Sequence, residues 1–220
     1  FHSPVTPHIF DSQGRHTGIA TSTPEGSDIV ILEENIPNSQ YLAYGEGKYL
    51  WVDTSAGEQH NVVVKGTDLG SFTLKLQEEV GDEITSETMY APLPITPNTR
   101  IEFTLIGNEP RAVAIDTNND GTPEYEVDSF SELSLPSFSL KMIKDAVVSL
   151  SVSAKIQDDI LKHLEKIEKH IERGKNKQAI TGLENTLKRI EKEHRKGDMP
   201  RDEAEVLIGM LEEMRGILVE

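Results

Sequence analysis

Ser129–Ser139 reads SFSELSLPSFS, and two kinds of sequence meet across it. Residues 1–137 hold 6 Lys/Arg against 22 Asp/Glu, whereas residues 138–220 hold 16 of each. The whole net charge of −16 therefore sits in the first part. Of the 12 Phe, Tyr and Trp residues only Phe138 lies in the second part, and of the 11 prolines only Pro200 does. Two composition classes in one chain of 220 residues predict two domains. The expected boundaries are 1–130 for an acidic domain, 131–139 for a Ser-rich linker and 140–220 for a second domain.

Upstream of the junction the sequence is a series of short alternating runs separated by turn residues. Val5–Phe10 and Arg15–Ala20 flank Asp11-Ser12-Gln13-Gly14, a turn. Asp28–Leu32, Lys48–Asp53, Asn61–Lys65, Ser71–Gln77, Arg100–Ile106, Arg111–Ile115 and Tyr125–Val127 follow. In Phe72-Thr73-Leu74-Lys75-Leu76, and again in Ile101, Phe103 and Leu105, the period is two, so the apolar residues share one face. About nine such strands with no helical pattern between them predict an antiparallel β-sandwich, jelly-roll or Ig-like. The expected fold class is multidomain β + α, this sandwich being followed by a three- to four-helix bundle.

The bundle is read from another period. Ile156, Ile160, Leu164, Ile167 and Ile171 step by four, four, three and four, which is one face of a helix. Gly174 ends it, and Asn176 can cap the next helix, whose stripe is Ile180, Leu183, Leu187 and Ile190. Gly197 and Pro200 separate a third, with Leu207, Leu211, Met214 and Leu218. Leu140–Leu150 can form a short fourth. From Lys144 to Leu218 this pattern (helix, Gly-containing turn, Gly174-Lys175-Asn176-Lys177-Gln178-Ala179-Ile180, then Ala204-x-x-Leu207-Ile208) resembles the FIVAR-like repeats of secreted and cell-surface prokaryotic proteins. An aromatic residue of those repeats is replaced by Leu187. The resemblance implies a surface or extracellular setting and no chemistry.

The acidic domain carries one candidate site. Asp116-Thr117-Asn118-Asn119-Asp120-Gly121-Thr122-Pro123-Glu124 follows the pattern D-x-N-x-D-G-x-x-E. Calcium takes six to eight oxygen ligands; Asp116, Asn118, Asp120 and Glu124 offer side-chain oxygens and Thr122 a carbonyl, with Gly121 permitting the sharp turn. Position twelve is Val127, not the glutamate of an EF-hand. The loop resembles the shorter calcium loops of integrin-type propellers and secreted bacterial modules, and an acidic hairpin turn is the alternative reading. The opening Ser3–Gly18 segment and Gly70–Leu74 are similar to β modules appended to secreted prokaryotic hydrolases and surface proteins.

Other chemistry is excluded by what is missing from the sequence. There is no cysteine and no G-x-S-x-G, G-x-x-x-x-G-K-[ST] or H-E-x-x-H motif. The acidic charge opposes nucleic acid, and no apolar run of 18 residues predicts a membrane span. Glu78-Glu79 with Asp82-Glu83 read as a solvated turn, His163 and His170 as surface histidines, and Trp51 with Tyr49 as sandwich core. The resulting expectation is a non-catalytic extracellular calcium-binding structural or attachment protein of a prokaryotic cell surface. Its partner would be a cell-surface or polysaccharide component, or a catalytic domain of the same precursor. The alternatives are the C-terminal accessory region of a secreted lipase, esterase or protease, and a carbohydrate-binding module using Trp51 and Tyr49. The start at Phe1 suggests a processed chain or a piece of a longer one.

Overall fold

The computed structural model describes residues 4–20, 30–45, 47–53, 58–81, 83–107, 109–130 and 135–219. The chain divides into two compact units. The first comprises Phe1–Asp68, Phe72–Ala91 and Pro97–Leu133; the second comprises Leu69–Ser71, Pro92–Thr96 and Ser134–Glu220. Antiparallel sheets in the first and four helices in the second give the expected β + α fold class.

Eleven strands are found among the described residues. Seven form one antiparallel sheet, in the order β11 (Tyr125–Val127), β10 (Glu109–Asp116), β9 (Arg100–Ile106), β6 (Gln59–Gly66), β1 (Val5–Phe10), β2 (His16–Ile19), β3 (Leu32–Glu34). Two hairpins stand beside it: β4 (Gln40–Tyr44) with β5 (Gly47–Trp51), and β7 (Gly70–Val80) with β8 (Glu83–Ile95). The register aligns Ile9 with Val62 and Val62 with Phe103, so Ile9, Val62, Val64, Ile101, Phe103 and Leu105 share one buried face. Phe130 packs edge-on against Phe103, with ring centroids 5.4 Å apart.

Strands β4 and β8 were not expected from the sequence. Glu83–Ile95 (EITSETMYAPLPI) mixes polar residues with two prolines, and its first half is largely exposed, so no buried face writes a period of two into it. Glu78 and Glu79 accordingly lie on β7 rather than on a turn, which is made at Gly81 with φ 66°.

The helices are α1 (Leu135–Ser149), α2 (Ala154–Ile171), α3 (Asn176–Lys196) and α4 (Arg201–Val219). Helix α1 packs against α2 and α4, and α3 packs against the same two, which closes a four-helix bundle. Every stripe residue named above from Ile160 to Ile167, from Leu183 to Ile190 and from Leu207 to Leu218 is buried. Helix α1 begins at Leu135, inside the expected linker, because Pro136 falls in its first turn, where a missing N–H costs nothing. Asn176 is the first helical residue of α3 and not its cap; Lys175 occupies that position without a side-chain cap bond. Gly197 ends α3 in the left-handed region, at φ 80°.

Gly182 fixes how closely α3 approaches α2. A Cβ added there would stand 2.7 Å from Cγ1 of Ile167, which is itself 1% exposed. Gly182→Val is therefore expected to lower bundle stability by about 1–3 kcal/mol through overpacking, measured as the urea midpoint of ellipticity at 222 nm. An unchanged midpoint would show that Ile167 yields freely.

Candidate functional site

The 116–124 loop joins the last residue of β10 to the residue before β11. A bulge precedes it, where the β9–β10 register shifts between Arg111 and Ala114 and Ala112 adopts φ 51°. Asp116 is buried at 6% exposure. Its Oδ1 accepts the N–H groups of Asn118 (3.1 Å) and Asn119 (2.6 Å), and its Oδ2 accepts that of Gly121 (2.8 Å). Glu124 returns to the start of the loop: Oε2 accepts the N–H of Thr117 (2.7 Å) and Oε1 accepts Nδ2 of Asn118 (2.7 Å). Oδ1 of Asn118 takes the N–H of Asp120 (2.9 Å), and Oδ1 of Asp120 takes that of Thr122 (2.8 Å). Asn119 and Gly121, at φ 58° and 86°, supply the left-handed residues that the curl requires.

All five expected residues thus lie in one closed turn, with Asp116, Asn118 and Glu124 directly linked. Burial works against ionisation of Asp116, but the N–H donors of Gly121, Asn118, Asn119 and Asp120 outweigh it and hold the carboxyl below its usual range. Among the described residues no three His, Asp or Glu side chains cluster with metal-ligand geometry. The oxygens of the loop already accept protein donors, so a cation would have to use their remaining lone pairs or displace some of those bonds.

A second polar cluster went unread in the sequence. His8 Nδ1 lies 3.0 Å from His16 Nε2, and His16 Nδ1 lies 2.6 Å from Glu33 Oε2. The ring of Phe10 stacks on His16 with centroids 4.7 Å apart. The hairpin register pairs Phe10 with His16 and His8 with Gly18, so all four occupy one face of the sheet. An added Cβ at Gly18 would meet His16 Nε2 at 2.9 Å, so the missing side chain gives the imidazole its place. The turn at residues 11–14 could have revealed the two histidines as neighbours; Glu33 comes from a third strand.

The reading of Tyr49 and Trp51 as core is corrected. Both are exposed, at 47% and 38%, and their rings lie 5.8 Å apart at 19°. The hairpin β4–β5 buries its other face instead, through Tyr41 at 4% exposure.

In the second unit, four helices turn at Gly174 and Gly197 around a mainly aliphatic core of Leu, Ile, Val and Met joined by Phe138 of α1. Residues 140–216 match the FIMAH domain family. This is a helical-bundle type of domain, and the match fits the C-terminal bundle expected there, over the stretch 144–218 that carried the FIVAR-like resemblance. No curated protein matches the chain. Within the FIMAH-matching region, His163 and His170 line one shallow groove of about 400 Å³ between α2 and α3, with Lys166, Gln178 and Asn185. Among the described residues no helix is long and apolar enough to cross a membrane.

Proposed function

We propose that the protein is a non-catalytic, calcium-binding structural module of an extracellular surface, its β domain serving attachment and its FIMAH-like bundle assembly. The observation that carries this reading is the closed 116–124 loop, where hydrogen bonds join Asp116, Asn118, Asp120, Thr122 and Glu124 within one turn. Turn chemistry alone needs only the Asn-Asp-Gly core; the return of Glu124 onto Thr117 and Asn118 adds a third carboxylate to a loop in an already acidic domain. A cation relieves that repulsion. The FIMAH match supports the surface setting.

Calcium binding only to the folded state adds RT ln(1 + [L]/Kd), about 2.7 kcal/mol at 100 times Kd. Calcium is therefore expected to raise the Tm of the β domain more than equal magnesium, which demands a smaller octahedral shell. Asp120→Ala should remove most of the difference. Equal shifts with both ions, unchanged in the variant, would reduce the effect to general screening of the −16 charge and sink the site.

A further inference from the structure

One face of the β4–β5 hairpin turns large apolar side chains to water. Its register pairs Gln40 with Trp51, Leu42 with Tyr49 and Tyr44 with Gly47, which places these six residues on one face. Leu42, Tyr44, Tyr49 and Trp51 are 45%, 78%, 47% and 38% exposed. A single exposed aromatic residue is ordinary, but three on one face of two five-residue strands mark a binding surface. The rings are also ordered. Tyr49 and Trp51 are near-parallel, and the Tyr49 ring lies against Gly47, where an added Cβ would come within 2.8 Å of Cε2 and Oη.

We infer that this face binds a neutral glycan through stacking on Trp51, Tyr49 and Tyr44, which gives the proposed attachment role its partner and rests on that reading. A pyranose ring has a C–H-rich face that packs on flat aromatic rings and a rim of hydroxyls that needs hydrogen-bonding groups. Three aromatic rings supply the first; the phenol hydroxyls of Tyr44 and Tyr49 and the amide of Gln40 supply the second. Nucleobases also stack on such rings, but they arrive with a phosphate chain, and the surrounding 137 residues carry 22 acidic against 6 basic groups. The same field opposes acidic polysaccharides and anionic lipid, which leaves an uncharged sugar polymer as the stacking partner.

Trp51 is the only tryptophan, so its emission reports the site directly. The full chain is titrated with cellohexaose, xylohexaose, laminarihexaose and chitohexaose by fluorescence and calorimetry. At least one should bind saturably and shift Trp51 emission to the blue. Trp51→Ala and Tyr49→Ala should each weaken that binding about tenfold or more. The calorimetric arm serves the Trp51 variant, which has lost the fluorophore. Gly47→Ala, which touches no ligand atom but displaces the Tyr49 ring, should weaken it severalfold. The calcium-dependent rise in Tm should persist in Trp51→Ala, and glycan binding should persist in Asp120→Ala, so either idea can fail alone. No response to any of the four sugars, binding unaffected by Trp51→Ala, or Trp51-dependent binding of oligo(dT) or phosphatidylglycerol vesicles in their place would overturn the inference.

Discussion

Phe103→Ala is expected to lower the unfolding free energy of the β domain by about 3–5 kcal/mol, the largest single-residue loss in that unit. Phe103 is 1% exposed at the middle of β9, which lies next to β6, the central strand of the seven. Val62 faces it across the strand pair, Ile101 and Leu105 flank it, and Phe130 meets its ring edge-on at 74°. Phe130 in turn contacts Tyr90 at 5.0 Å, so truncation removes the innermost ring of an aromatic chain of three, and the edge contact to Phe130, as well as its own buried area. The surrounding β-branched residues have few rotamers with which to fill the void. Urea unfolding followed by Trp51 fluorescence measures the loss, with Phe103→Leu as the control that keeps most of the volume. A cost under about 1 kcal/mol for the alanine variant would mean that the site collapses and that this face is not the core.

Mild acid is the second large perturbation. Burial, followed by the positive charges of Lys65, His16 and Arg100, lowers the pKa of His8 to about 4 against 6.5 in the unfolded chain, while Glu33 pulls the other way. The unfolded chain therefore takes up a proton that the folded one refuses, and stability rises with pH across this window. The contribution is fully present above pH 6.5 and is lost as the pH falls towards 4. The full difference corresponds to about 3 kcal/mol as an upper bound, and local opening that lets water reach the ring brings the expected loss to about 2 kcal/mol. His8→Gln keeps a hydrogen-bonding group beside His16 and does not titrate. The wild-type chain should lose about 2 kcal/mol more than the variant between pH 7 and pH 4, read as the difference of two urea series. Parallel pH profiles would assign the acid sensitivity to the carboxylates alone.

Each helix was legible because its information is local. The spacing of Ile156 to Ile171 fixes a buried stripe whatever packs on it, and Gly174 and Gly197 end helices through their own backbone freedom. The β1–β2 hairpin was legible for the same reason: Asp11 closes its turn by accepting the N–H groups of Gln13 and Arg15 and the guanidinium of Arg15. The 116–124 turn was legible from spacing alone, since Asp, Asn and Gly close such a turn as consecutive residues. Its internal bonds, with Glu124 turned back on Thr117, became visible only in the folded chain.

By itself, then, the sequence determined two stretches of opposite composition, the β class of the first, the helical class of the second and the position of the acidic loop. Tertiary structure decided whatever depends on residues far apart in the chain. The pairing of β1 with β6 sets the sheet order, and no local signal carries it. Leu69–Ser71 and Pro92–Thr96 belong with the helices, where Leu93 and Ile95 are 1% and 0% exposed and Ser71 donates to Glu213 at 2.6 Å. His8, His16 and Glu33 come together across three strands. Above all, alternation shows that Tyr41 and Tyr49 point to opposite sides of a hairpin, but it does not say which side meets water. That choice belongs to the neighbours of the hairpin: they bury Tyr41 and leave Tyr49 and Trp51 in solvent, because burial depends on the whole fold and not on the residue.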